Sequence, residues 1–137
     1  PETTGSPVTV ATIPGCTQIS FCFDQNGRPN LCYTIGSNLF LYWYDTEAAN
    51  FVTTEYTGHT SGLLMLDDKR DRQLGANDIL FWYTRSDTPG QYDLYHRLQR
   101  ERFLTEYLMA TDVLPFLSRG GMHSGLRVKV ACRASIG

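Results

Sequence analysis

An all-β fold, a single antiparallel β-sandwich or jelly roll with at most one short helix near 100–111, is what this chain predicts, and three observations carry the prediction. Short segments in which apolar and polar residues alternate recur at regular spacing from Val8 to Arg133. Aromatic residues make up 12% of the chain, with eight Tyr, a share that favours strands. Turn dipeptides of the hairpin kind, Asn26-Gly27 and Pro89-Gly90, lie between such segments. A closed barrel is the second architecture that satisfies all three.

The 137 residues are the size of one domain, able to bury roughly two thirds of the unfolded surface. Residues 1–7, PETTGSP, have no periodic apolar pattern and read as a linker or tail, leaving 8–137 as a single β-rich domain. The expected strands then run Val8 to Ile13, Gln18 to Asp24, Leu31 to Ile35, Leu39 to Asp45, Phe51 to Thr57 and Gly62 to Asp67. Asp67 to Asn77, DDKRDRQLGAN, with six charges in succession and a Gly, reads as an exposed loop. A second hairpin follows, Asp78 to Ser86 returning through Gln91 to Leu98 about the Pro-Gly turn. Between Arg100 and Thr111, Phe103, Leu104, Tyr107 and Leu108 share one helical face and Pro115 stops the run, which predicts the short helix. Ser118 to Gly125 reads as a flexible loop, and Leu126 to Arg133 as a final alternating strand.

The first hairpin is the most explicit. Folding FCFDQNGRPNLCY, Phe21 to Tyr33, about Asn-Gly so that Cys22 faces Cys32 sets Phe21 against Tyr33, Phe23 against Leu31 and Ile19 against Ile35. One face becomes wholly apolar, the other polar apart from the sulfurs. The apolar face is then expected to enter the core, with a Cys22–Cys32 disulfide clasping the polar one. Cys16 and Cys132 could pair if the first and last strands are neighbours.

Several classes of function are disfavoured at this level. A net charge of −2 and a pI near 5.9 give no general attraction to phosphate or anionic lipid, so no nucleic-acid partner is expected. No apolar run approaches the roughly 20 residues that span a bilayer, so no membrane insertion is expected either. No Cys-x-x-Cys, His-x-His or His-x-x-x-His spacing and no phosphate-cradling Gly-Lys motif occurs, so neither metal nor cofactor is expected. No Asn-x-Ser/Thr glycosylation acceptor is present. The stretch GHTSG, Gly58 to Gly62, contains His and Ser, but it lacks the Gly-x-Ser-x-Gly pattern and reads more simply as a polar turn.

The aromatic triplets are the more informative signal. Tyr42-Trp43-Tyr44 and Phe81-Trp82-Tyr83 must send consecutive rings to opposite faces of their strands, so rings that do not enter the core meet a second layer, a partner or solvent. Together these observations predict a non-enzymatic recognition or attachment module for a glycan or protein receptor, at an extracellular or virion surface. Trp43 and Trp82 would offer ring platforms, and His59, Asp68, Arg70, Arg119 and His123 would serve from loops. Two alternatives remain. One is a protruding or assembly domain of a non-enveloped virus capsid, a homo-oligomer by analogy of architecture. The other is a small hydrolase using His59 or His123 with a Ser and an Asp.

Overall fold

The structure is a computed structural model that describes residues 9, 12–24, 26–67, 78–113, 121–124 and 127–130. Two four-stranded antiparallel meanders stack as a sandwich. Sheet I contains β1 (Cys16–Phe23), β2 (Pro29–Ile35), β3 (Asn38–Asp45) and β4 (Asn50–Thr57) in that order. Sheet II contains β5 (His59–Asp67), β6 (Asp78–Thr88), β7 (Gln91–Leu98) and β8 (Tyr107–Val113). A separate two-stranded ladder pairs β9 (Gly121–Ser124) with β10 (Arg127–Val130), so the expected Ser118–Gly125 loop contains a strand. The expected strand Val8 to Ile13, the tail and the 68–77 loop fall outside the described residues, wholly or in large part. Among the described residues no helix is long and apolar enough to cross a membrane.

The sheets join through Gly58 alone, whose φ of 72° is the left-handed turn that lets the chain leave sheet I and enter sheet II within one residue. From there β5 runs over the inner face of sheet I, against β3, β2 and β1. GHTSG is therefore the start of a strand. β5 carries a one-residue bulge between Thr60 and Leu63, where its pairing with β6 shifts. Gly62 lies in this bulge and is buried. A Cβ built there would stand 2.2 Å from Cys32 Sγ and 2.9 Å from Leu39 Cδ1, so the two sheets meet at a point where only hydrogen fits.

The core between the sheets takes Leu39, Leu41 and Trp43 from β3, Tyr56 from β4, and Leu64, Ile79, Phe81, Tyr83 and Tyr95 from sheet II. A second apolar cluster, Leu80, Trp82, Leu94, Leu98 and Val113, lies on the opposite face of sheet II, so β6 is buried on both sides.

The first hairpin departs from expectation in register and in orientation. Cys22 pairs with Asn30 and Ser20 with Cys32, a slip of two residues, and Cys16, Cys22 and Cys32 are free thiols. The Cys22–Cys32 disulfide is therefore absent. The cause is Asp24, whose Oδ1 accepts the N–H groups of Asn26 and Arg28 at 2.8 and 2.9 Å. Its backbone carbonyl takes the N–H of Gly27, held at φ 72°. The turn is thereby centred on Asn26, one residue earlier than the Cys22–Cys32 register would place it. A two-residue slip preserves the alternation, so the two faces stay sorted as the sequence sorts them. Their assignment is reversed: Asn30, Cys32 and Thr34 point into the sandwich, and Ile19, Phe21 and Phe23 point out.

The helix expected near 100–111 is replaced by one 3-10 turn, Gln99–Glu101, followed by β8. Arg102 and Phe103 adopt φ of 55° and 56°, a left-handed pair that ends helical winding. Phe103 alone enters the core, while Leu104 and Leu108 remain exposed. The next residues find backbone partners on the edge of β7.

The close approach at Gly62 predicts that Gly62→Ala destabilises the fold by about 1–3 kcal/mol through overpacking. Urea unfolding should show Cys32→Ala in the same background recovering part of that loss. If Gly62→Ala unfolds at the wild-type midpoint, the sheets do not touch there.

Candidate functional site

The reversal of the hairpin creates the most unusual surface of the molecule. Alternation puts Leu31, Tyr33 and Ile35 of β2 and Phe40, Tyr42 and Tyr44 of β3 on the same outer face as Ile19, Phe21 and Phe23. Register aligns Ile19, Tyr33, Phe40 and Glu55 in one row, and Phe21, Leu31, Tyr42 and Thr53 in the next. On β1, Ile19, Phe21 and Phe23 are 50%, 63% and 53% exposed. Cross-strand ring contacts order the middle of the face. Tyr33 stacks on Phe40 with centroids 5.3 Å apart and planes within 10°, and Tyr42 on Phe51 at 4.9 Å and 3°. Arg28 covers one corner, its guanidinium 3.8 Å from the Tyr44 ring centroid.

Each stacked ring gives one face to its neighbour along the sheet. A sugar ring binds through the open face of an aromatic platform, whereas a protein side chain can seat between upright rings.

A second cluster of polar groups gathers at the end of the sandwich around Glu106, just before β8. Its carboxylate accepts from the Tyr83 hydroxyl, from Arg85 Nη1, and from Arg97 Nη2 at 3.1 Å. Arg97 also donates from Nε to the Tyr83 oxygen at 2.8 Å and from Nη1 to the carbonyls of Phe103 and Leu104 at 2.9 and 2.8 Å. The arrangement straps the 103–106 segment to β6 and β7. On the far side of the same segment, Arg102 is gripped by Asp45 and Glu47. A cleft of about 330 Å³ lies between, lined by Trp43, Val52, Tyr56, Arg97, Arg102 and Phe103. Both guanidinium groups in this lining are paired with carboxylates of the protein itself, Arg97 with Glu106 and Arg102 with Asp45 and Glu47.

His59 sits beside this network. Its Nδ1 is 2.8 Å from the Thr57 carbonyl, which makes that nitrogen the donor and leaves Nε2 facing Glu106 at 3.9 Å. Burial, reinforced by Arg85 and Arg97, holds the His59 pKa below its ordinary value despite the carbonyl and Glu106. For Glu106, burial pushes upward, but the hydrogen bonds from Tyr83 and Arg85 and the charges of Arg85 and Arg97 outweigh it and bring the carboxyl below its usual range.

Of the residues singled out in the sequence, Trp43 and Trp82 are core residues, 5% and 8% exposed, and offer no platform. Trp43 donates its indole N–H to Thr54 Oγ1 at 3.3 Å, and Trp82 packs on His96. Asp68, Arg70 and Arg119 lie outside the described residues, as does Cys132. His123 is on β9, where its backbone pairs with Val128. The exposed rings of sheet I belong instead to Phe21, Phe23 and Phe51, with the half-buried Tyr33, Phe40 and Tyr42 between them. A signal for them was present: Glu55 shares the outer face of β4 with Phe51 and Thr53, and a charged residue there marks the solvent side of the whole sheet.

Three outcomes are expected. Carbene footprinting of the dilute chain should label the peptide holding Ile19, Phe21 and Phe23 far more heavily than those holding Trp43 and Trp82; equal labelling would contradict the reversed hairpin. The Cys22 thiol, pushed up to about 12 by burial and by Asp24, should alkylate with iodoacetamide much more slowly in the folded than in the unfolded chain. Rapid labelling in the native state would show that Cys22 is not inward. Because the folded His59 pKa lies below the unfolded value of 6.5, the unfolded state binds more protons in that interval. Stability should therefore fall as pH drops below about 6.5, and again at lower pH as Glu106 protonates. His59→Gln should flatten the upper part of that decline in urea titrations, and an unchanged profile would remove His59 as its source.

Scans against family models, curated proteins and solved structures return no match for this chain.

Proposed function

We propose that this chain is a non-enzymatic recognition module that binds a protein partner through the outer face of sheet I. The observation that carries the reading is the exposure of Ile19, Phe21 and Phe23 on a sheet face that is aromatic across all four strands. A rigid four-stranded sheet presents these side chains with little freedom to lose, so burying them against a partner is favourable at low entropic cost. Monomeric proteins seldom leave an apolar area of this extent uncovered, and where they do it marks an interaction site.

Protein is preferred to glycan because Tyr33, Phe40, Tyr42 and Phe51 turn faces toward one another. The Asn38 amide on the outer face is already engaged, its Nδ2 donating to Glu55 at 2.6 Å. The binding role moves from the tryptophans and loop histidines to the sheet itself.

A glycan array probed with the wild-type chain and with Tyr33→Ala tests the choice of partner. No signal that depends on Tyr33 is expected. Glycan binding that Tyr33→Ala abolishes, with the melting temperature unchanged, would overturn the protein reading.

A further inference from the structure

We infer that the partner of this face is a second copy of the chain, so that two molecules associate through the outer faces of their first sheets. The inference rests on the recognition reading above and adds the identity of the occupant.

The first argument is area. Four strands at about 4.8 Å spacing and eight residues at about 3.3 Å rise give a face of roughly 19 by 26 Å, or about 500 Å² in projection. Two such faces together reach roughly 1,000 Å², the lower bound for a specific interface, and their side-chain relief adds to the projected figure. The second argument is charge. Of the outward positions on β1 to β4 only Glu55 is ionisable as a carboxylate or base, and it lies on the β4 margin bonded to Asn38. Partners of a different kind are commonly selected by complementary charge patterns, and this face offers only Glu55 and, at one corner, Arg28. Apart from Glu55 and the Arg28 guanidinium over Tyr44, the face is neutral, so its aromatic rows are complementary to themselves across a two-fold axis, and their apolar character is that of homodimer interfaces. The net charge of −2 adds little repulsion between copies.

The distribution of side chains places the axis. Ile19, Phe21 and Phe23 on the edge strand β1 are the most exposed large apolar groups on the face, whereas β4 offers Phe51, less exposed and stacked on Tyr42, with Thr53, Glu55 and Thr57. An interface with an apolar centre and polar rim puts the two β1–β2 hairpins over the axis and the two β4 strands outside.

Sedimentation of the wild-type chain at about 100 µM, high enough to populate an interface at the small end of the specific range, should give a species of twice the 15.5 kDa chain mass. Phe21→Glu with Tyr42→Glu should sediment at the mass of one chain while keeping its near-ultraviolet dichroism and melting temperature. Phe23→Lys alone serves if the double variant fails to fold. Leu108→Glu, on the exposed edge strand β8, should leave the dimer intact. A wild-type monomer at that concentration overturns the inference, as does a dimer that survives the sheet I variants or is lost with Leu108→Glu. Carbene footprinting separates this failure from that of the parent reading. A monomer whose β1 peptide stays labelled at all concentrations leaves a recognition face for another protein. A β1 peptide unlabelled even at high dilution overturns both.

Discussion

The narrow contact of Gly62 with Cys32 and Leu39 sets the shape of the molecule. For β5 to lie so close over sheet I, the first hairpin must present small side chains beneath it, and Ser20, Cys32 and Thr34 are what it has on one face. The hydroxyl of Ser20 accepts the Leu64 N–H at 3.1 Å, tying β5 to β1 across the sheets. Phe21, Phe23 and Tyr33 have no room there. Bulky packing is displaced to β3 and sheet II, where Leu39, Leu41, Trp43, Phe81 and Tyr83 fill the remaining depth.

Two further features depend on that arrangement. The open end of the sandwich is closed by Phe103, which meets Trp43 edge to face with centroids 5.1 Å apart. The left-handed pair Arg102–Phe103 that delivers it is conformationally costly, on the order of 1–3 kcal/mol per residue. The paired charges on either side offset this, with Asp45 and Glu47 holding Arg102, and Arg97 holding the carbonyls of Phe103 and Leu104. The polar cluster around Glu106 thus has a sufficient structural role. The aromatic face of sheet I has no comparable internal explanation, which is why function is sought there.

Particular residues show where sequence reading reached its limit. The positions of β1 to β7, the hairpins at Asn-Gly and Pro-Gly and the centrality of β3 were legible because alternation and turn residues are local, whereas the residues of β8 read as a helix and those of β9 as a loop. The hairpin's exact register was not, since it turned on the hydrogen bonds of one side chain, Asp24, which draw the turn one residue toward the N-terminus. The helical spacing of Phe103, Leu104, Tyr107 and Leu108 was genuine, but only Phe103 had a core to enter. Likewise Trp43 and Trp82 are aromatic-platform residues by type and core residues by position, a distinction made by the layer above each strand.

By itself the amino-acid order determined an all-β chain and sorted the residues of each strand into two faces, because period-two alternation and turn chemistry act over a few residues. Which of those faces points inward was decided only in the tertiary structure. For β1 and β2 hydrophobicity alone selects the wrong one. The deciding term is steric, the depth left beneath Gly62, and it couples residues 30 positions apart that no local pattern relates. The exposed aromatic face, and with it the candidate site, is the consequence of that single choice.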